Sequence, residues 1–182
     1  MNRCRAERMD NMLARRKESR VSPDSIDFFV SIMLRYPEIA TIKYDPARCR
    51  VKFTFIVSGV VSAQNCNKWA DTLLKTLDAY YHLENKKISE IGIENTTCDQ
   101  ITLIEISRDV QSLCVNEIGI IVNLFKDRFA QDAMVDSYGL VGEDLLFRDE
   151  MIRHTLESLK HAQLEKKLIA LREEGRVLVF NK

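Results

Sequence analysis

Residues 50–58, with the sequence RVKFTFIVS, show the clearest alternation of apolar and polar side chains in this chain. Successive side chains of a β-strand point to opposite faces of a sheet, so this stretch predicts a strand that buries one of its faces. The other face is expected to carry polar and charged groups. The side chains expected in the core are Val51, Phe53, Phe55 and Val57.

This strand belongs to a pattern that occurs twice, over residues 39–83 and 88–134. In each copy, two strands joined by a polar turn lead into one long amphipathic helix. Two ββα units of this kind predict an α+β fold, in which a four-stranded antiparallel sheet has both helices on one face. The predicted strands cover residues 39–44, 50–58, 88–94 and 101–107.

A further helix is predicted to precede the first unit. Ser22-Pro23-Asp24 combines residue types that favour a helix N-terminus, and Pro37 limits the helix at its other end. Its core-facing side chains are expected to be Ile26, Phe29, Val30 and Met33. Eight side chains of the two units are predicted to be buried together, namely Phe53, Phe55, Trp69, Leu73, Leu77, Ile121, Phe125 and Phe129.

The C-terminal part of the chain predicts one long helix over residues 143–174, with Gly175 as its stop signal and a short strand over residues 177–180. A 32-residue helix spans about 48 Å, whereas the preceding domain should measure only about 30–35 Å. The apolar stripe of this helix also changes face after Leu159. The chain therefore divides into a basic arm (1–21), a core domain (22–139) and a C-terminal assembly segment (140–182).

These features predict a homodimer in which the distal half of the long helix and its strand contact a second copy of the chain. The predicted interface residues are Leu164, Leu168, Leu171, Val177 and Val179. A bend that returns the segment to its own domain is the single-chain alternative.

The composition indicates a soluble globular protein, with 46% hydrophobic and 30% charged residues. The 27 basic and 27 acidic residues balance overall, but residues 1–20 hold seven basic and three acidic residues, a net charge of +4. No apolar run approaches the length of a membrane span, and the N-terminus does not resemble a secretory signal. The five cysteines form no CxxC pair, so a reducing cytoplasm is the expected compartment.

One stripe of the predicted long helix resembles a metal site. His154, Glu157 and His161 lie at spacings of three and four residues, with Glu150 and Glu165 on the same stripe. The stripe lies opposite the apolar face, however, and its spacing differs from that of HExxH zinc proteases. It is therefore interpreted as a solvated helix face, and no metal ion or cofactor is predicted.

No glycine-rich phosphate loop or GxSxG nucleophile motif occurs in the chain, and no catalytic or cofactor-binding residue is assigned. The sequence favours a non-catalytic assembly or regulatory module that acts through protein–protein contact, rather than an enzyme. Two alternatives remain open. One is a nucleic-acid-binding protein that uses the basic arm, and the other is a small enzyme with an unrecognised pocket.

Overall fold

The computed structural model describes residues 23–87, 89–135, 142–161 and 166–181. Over these residues the chain forms four helices and one six-stranded antiparallel sheet, so the predicted α+β class is confirmed. The helices are α1 (Pro23–Arg35), α2 (Ala63–Leu83), α3 (Val115–Phe129) and α4 (Gly142–His161). The strands are β1 (Thr41–Asp45), β2 (Arg50–Ser58), β3 (Gly92–Cys98), β4 (Ile101–Asp109), β5 (Leu168–Glu173) and β6 (Arg176–Asn181).

The sheet has the order β3-β4-β2-β1-β5-β6. Its two nine-residue strands, β2 and β4, pair along their whole length near the centre, from Arg50 opposite Asp109 to Ser58 opposite Ile101. The sequence predicts a four-stranded sheet and a separate C-terminal strand over residues 177–180. The sheet instead has six strands, because β5 adds to the free side of β1 and β6, which contains that C-terminal strand, adds to β5.

The prediction of one helix over residues 143–174 is wrong. Helix α4 ends at His161, and β5 begins at Leu168. Leu168 and Ala170 are both buried in the core, and Ile169 between them is only partly buried, which is the two-residue period of a strand. The shift of the apolar stripe after Leu159 therefore marks the end of the helix, and the chain returns to its own sheet.

Gly175 is not a helix stop. It occupies the second position of the two-residue turn that joins β5 to β6, with Glu173 paired to Arg176 on either side. Glu174 and Gly175 have φ angles of 48° and 74°, and positive φ at both positions is the requirement of a type I′ hairpin turn. Glycine meets that requirement without steric cost.

The predicted core is confirmed. All eight side chains expected to be buried together belong to one cluster and are at most 4% exposed. The aromatic rings of this cluster are in contact, with the centroids of Phe55 and Phe125 4.5 Å apart. In α1 the prediction is partly wrong, because Ile26 is 39% exposed and Phe28 is fully buried instead.

The third strand begins later than predicted. Residues 88–94 are expected to form it, but β3 covers Gly92–Cys98, and the chain turns at Asp99, whose φ angle is 53°. The run 95–98, with the sequence NTTC, is polar but contains two threonines, which favour strands, and it pairs with β4 at every position.

Polar contacts fasten the helices to one another. The Trp69 indole N–H of α2 donates to the Leu124 carbonyl of α3 at 3.0 Å. Arg35 of α1 forms an ion pair with Asp149 of α4, with 2.8 Å between Nε and Oδ1. In the part of the chain that the structure describes, no helix is long and apolar enough to cross a membrane. The predicted basic arm, residues 1–21, lies outside the described residues.

Candidate functional site: a charged groove and an apolar hairpin on the open sheet face

The sheet has one covered face and one open face. The strand side chains in the hydrophobic core, such as Phe53, Ile42 and Ile106, share one face with the four helices. The alternate residues form the other face, which no described element covers. Register places these residues in rows across the strands. One row is Gly92, Ser107, Lys52, Lys43, Ile169 and Phe180, and the next is Glu94, Glu105, Thr54, Thr41, Leu171 and Leu178.

A groove of about 710 Å³ crosses this open face from β3 to β5. Five cations and three carboxylates line it, a net charge of +2, and the cations and carboxylates are unevenly distributed. Glu90 and Glu94 lie at the β3 end, and Lys167 lies at the β5 end. The charged lining residues are Lys43, Asp45, Arg48, Arg50, Lys52, Glu90, Glu94 and Lys167.

Two of the cations form a fixed floor. Arg50 Nε donates to Ser107 Oγ at 3.0 Å, and its Nη1 contacts Glu90 Oε2 at 3.3 Å. Lys52 Nζ lies 3.1 Å from Glu105 Oε2 and 3.2 Å from Glu94 Oε2. Partial burial works against the charge of Lys52, but its hydrogen bonds to these two carboxylates outweigh that cost and raise its pKa. Lys52 is therefore protonated at neutral pH and does not act as a base.

The remaining cations are available to a ligand. Arg48, in the turn between β1 and β2, and Lys167, next to β5, are exposed and make no ion pair with any residue that the structure describes. Lys43 has one distant carboxylate, Glu105, at 4.0 Å, and half of its side chain is exposed. These three side chains reach the groove from β1, from the β1–β2 turn and from the residue before β5. Asp45 of β1 is the one carboxylate among the described lining residues on this side, which therefore carries a net charge of +2.

The β5–β6 hairpin carries an apolar patch on the same open face. Ile169 is paired with Phe180, and Leu171 is paired with Leu178, so the four side chains form two adjacent cross-strand pairs. Phe180 is 50% exposed and the other three are partly exposed. Because β6 is also the outermost strand of the sheet, the patch lies beside an edge that no described residue covers.

A buried polar cluster lies under the opposite face. Arg108 and Glu117 are both fully buried and form a two-point ion pair, with Nη2 3.2 Å from Oε2. The Tyr81 hydroxyl donates to the same carboxylate oxygen at 2.5 Å, and burial together with this hydrogen bond raises the Tyr81 pKa. Every charged group here has its partner within the protein. The cluster therefore positions β4, α2 and α3 and is not a ligand site.

Asp109 connects this cluster to the chain entering β3. It accepts hydrogen bonds from the Ser112 backbone N–H at 2.8 Å and from the hydroxyls of Ser112 and Ser89. Arg108 Nη1 reaches the Glu90 carbonyl at 3.1 Å. Glu90 is thus held at the mouth of the groove by a residue on the covered side of β4.

A smaller cavity of about 220 Å³ lies between α2, α3 and α4. Cys114 precedes the first residue of α3, and its Sγ lies 3.5 Å from the Tyr80 hydroxyl. Burial and this contact raise the pKa of Tyr80 to about 12, so the phenol is neutral at physiological pH. Arg153 and Glu157 line the other side.

The structure places the metal-like stripe of the sequence on the exposed face of α4. His154, Glu157 and His161 are all exposed, and Glu157 forms an ion pair with Lys160 at 2.8 Å. Glu150 faces Arg153 at 3.9 Å, and Glu165 lies outside the described residues. Within the described ranges, no group of three or more His, Cys, Asp or Glu side chains is arranged to hold a metal ion.

The predicted interface residues have different environments. Leu168 is 1% exposed and belongs to the core of its own chain. Val177 and Val179 pack against that core while remaining partly exposed, and Leu171 lies in the apolar patch on the open face. Leu164 lies outside the described residues.

Comparison of the chain with protein-family models, with curated proteins and with solved structures finds no match.

Sequence reasoning missed the groove. Arg50 and Lys52 were expected on the polar face of β2, but their neighbours come from segments as distant as Glu90 and Lys167. One signal was present for the apolar patch: residues 168–173 and 176–181, LIALRE and RVLVFN, flank a Glu-Gly pair and carry apolar residues on both faces. That arrangement is typical of a β-hairpin whose two faces both contact apolar surfaces.

Proposed function

We propose that the protein is a non-catalytic assembly or regulatory module that acts through protein–protein contact as a homodimer, with the β5–β6 hairpin as its contact surface. The single observation that supports this most directly is the coincidence of an unpaired sheet edge at β6 with the apolar patch beside it. Exposed strand edges pair readily with other strands, and an apolar border strengthens that tendency.

The hairpin geometry determines which backbone groups are available. The two-residue turn makes Glu173 and Arg176 the hydrogen-bonded pair that closes the hairpin, and hydrogen-bonded and non-hydrogen-bonded pairs alternate from there. Val177, Val179 and Asn181 therefore direct their backbone N–H and C=O groups away from β5. A second strand along β6 would bind these three residues.

A two-fold axis at Val179 makes this edge self-complementary. Antiparallel pairing of two copies of β6 then places Val179 opposite its own counterpart and Val177 opposite Asn181 of the other copy. On the open face, the same register places Leu178 of each copy opposite Phe180 of the other copy. The two apolar patches become one, and the sheet continues through both copies. The contact is small, so we expect a dimer that dissociates in the micromolar range.

The dimer is tested with a pair of variants at one position. Val179→Pro removes the outward N–H while leaving the bonds to β5, and Val179→Ala removes side-chain atoms but keeps the N–H. In analytical ultracentrifugation over a range of concentrations, the wild type and V179A should form dimers, and V179P should remain monomeric. Circular dichroism establishes that both variants are folded.

Two results would contradict the proposal. One is a wild-type chain that stays monomeric up to sub-millimolar concentration, and the other is equal dimerisation of V179P and V179A. A second variant, Phe180→Ser, removes the largest exposed side chain of the patch and should weaken the dimer without breaking the backbone contact.

We also propose the reducing cytoplasm as the site of action. The four cysteines that the structure describes, Cys49, Cys66, Cys98 and Cys114, are all free thiols, and two of them are exposed. Free exposed thiols are typical of proteins kept in a reducing compartment. Measurement of the thiol content of the protein isolated from cells in the presence of an alkylating reagent tests this directly.

A further inference from the structure

We propose that the groove on the open sheet face binds a small organic phosphate that also carries hydroxyl or amino groups. The groove uses the surface of the sheet rather than its β6 edge, so the proposal goes beyond dimerisation and does not depend on it. Pairing through β6 leaves the open faces of both copies accessible.

The phosphate belongs at the β1–β5 side of the groove. Arg48 and Lys167 approach this side from separate segments, and neither makes an ion pair with a described residue. Lys43 of β1 has Glu105 at 4.0 Å, and Asp45 is the one carboxylate among the described lining residues on this side, so the three cations leave a net charge of +2 there. A guanidinium fork with two flexible ammonium groups provides the donors that phosphate oxygens bind most strongly.

The opposite side of the groove binds hydrogen-bond donors. The side chains of Glu90 and Glu94 are 85% and 70% exposed, and each contacts a fixed cation through one oxygen, Oε2. A carboxylate accepts several hydrogen bonds, so each retains acceptor sites that face the groove. A ligand with hydroxyl or amino groups satisfies them, whereas an inorganic phosphate ion does not.

The two sides are far enough apart to require a ligand of some length. β3 and β1 are three strand positions apart in the sheet, which corresponds to about 14 Å. The groove volume of about 710 Å³ lies within the usual range for small-molecule sites. A phosphate ester with a polar body can thus reach from Arg48 to Glu94.

The floor of the groove is ordered before a ligand arrives. Arg50 is held by Ser107 and by both the side chain and the carbonyl of Glu90. A prearranged floor reduces the ordering cost of binding.

The lining favours a small ligand over a nucleic-acid strand. Tyr44 is the one aromatic residue among the described lining residues, and it is only 5% exposed. Binding of single-stranded nucleic acid without sequence preference relies on exposed aromatic rings on which bases stack. This groove recognises its ligand by charge and hydrogen bonds instead.

The intact chain is titrated by isothermal calorimetry with ribose 5-phosphate, AMP and inorganic phosphate at two salt concentrations. Ribose 5-phosphate and AMP should bind saturably and more weakly at high salt, and inorganic phosphate should bind at least about tenfold more weakly, since it lacks the contacts to the carboxylates. Absence of saturable binding by both esters overturns the proposal. Equal affinity for inorganic phosphate overturns the role of the carboxylates.

Paired variants locate the site. The double variant Arg48→Gln with Lys167→Gln should reduce the affinity for both esters by about tenfold or more. Its matched control is Lys68→Gln with Lys75→Gln, which removes two exposed charges from α2 on the opposite side of the sheet. If the control lowers affinity equally, the attraction is general and the groove is not the site. Glu94→Gln should weaken the esters but not inorganic phosphate.

Two further measurements separate the alternatives. If a thymidine oligonucleotide binds and AMP does not, the ligand of the groove is a nucleic acid rather than a small phosphate ester. The monomeric variant Val179→Pro should bind ribose 5-phosphate as the wild type does. Loss of dimerisation and loss of ligand binding are thus distinguishable.

Discussion

Arg108 and Glu117 form a two-point ion pair in which neither side chain is exposed to solvent. The two residues come from the end of β4 and the first turn of α3, so the pair holds the connection between them against α2. Taking both charges out of water is costly, and the pair is stable only because each partner neutralises the other.

Glu117→Gln should therefore lower the free energy of unfolding by about 3–5 kcal/mol, since it leaves the buried Arg108 guanidinium with Asp109, 3.3 Å from its Nη1, as its remaining carboxylate partner. Urea unfolding measures the change. Glu150→Gln is the matched control, because it removes a carboxylate from an exposed pair with Arg153 and should cost less than about 1 kcal/mol. If the two variants lose equal amounts of stability, removing the buried carboxylate costs no more than removing an exposed one, and the prediction is wrong.

Asp109 should make stability depend on pH. Its partial burial raises the pKa, but hydrogen bonds from Ser112 and Ser89 outweigh that effect and hold the folded pKa below its usual value. The stability that this carboxylate contributes is fully present above its unfolded pKa and is lost as pH falls through the folded pKa. Asp109→Asn should thus destabilise the protein at neutral pH and much less at strongly acidic pH. Urea midpoints for both proteins, measured across the acidic range, provide the comparison.

Truncation of a ring in the aromatic cluster should be among the most destabilising single changes. Phe125 is fully buried, and its ring contacts Phe55, Trp69 and Phe129. Phe125→Ala should cost about 3–5 kcal/mol, the usual range for a buried phenylalanine. Phe147→Ala is the control, because Phe147 is 68% exposed on α4 and its loss should leave the melting temperature nearly unchanged. A wild-type melting temperature for F125A would mean that the ring is not in the core.

The core could be predicted because its signal is local. Residues 50–58 alternate strictly enough to define a buried face, and α3 repeats apolar side chains at helical spacing from Ile118 to Phe129. Burial of those faces is the main contribution to folding, so pattern and structure agree there.

Strand β5 was misassigned to a helix because the spacing of its apolar residues fits both a helical and a strand period, whereas the strand predicted over residues 177–180 lies within β6. Leu164, Leu168 and Leu171 are spaced like one helical stripe, and their neighbours are good helix formers. Residues 168–171 form a strand because they pair with the free side of β1, and Leu168 and Ala170 are buried there. This partner is more than 120 residues away in the chain (Lys43 pairs with Ile169), so no local pattern reports it.

The groove could not be predicted from the sequence for a related reason. Its charged residues come from β1, β2, β3, the turn before β2, the segment entering β3 and the residue before β5. Each one alone has the pattern of an ordinary solvated residue. Only the strand order, which places β5 beside β1 and β3 beyond β4, brings Lys167 and Glu94 to opposite sides of one groove.

A substitution in the turn between β5 and β6 distinguishes a hairpin from a helix, because the two structures predict changes of opposite sign in the free energy of unfolding. Glu174 has a φ of 48°, a conformation that costs most side chains about 1–2 kcal/mol and that asparagine tolerates better. Asn-Gly is also the preferred pair of a type I′ turn. In the hairpin, Glu174→Asn should therefore raise the free energy of unfolding by about 0.5–1 kcal/mol.

A helix through Glu174 predicts the opposite sign, because asparagine is a poorer helix former than glutamate by a few tenths of a kcal/mol. Gly175→Ala is the companion variant. It places a side chain at a φ of 74° and should destabilise the hairpin by about 1 kcal/mol. Urea unfolding of both variants gives the two signs, and a loss of stability in E174N would contradict the turn. Because β5 is the one described strand that pairs with β6, a stabilised turn should also strengthen the dimer that pairs through Val179.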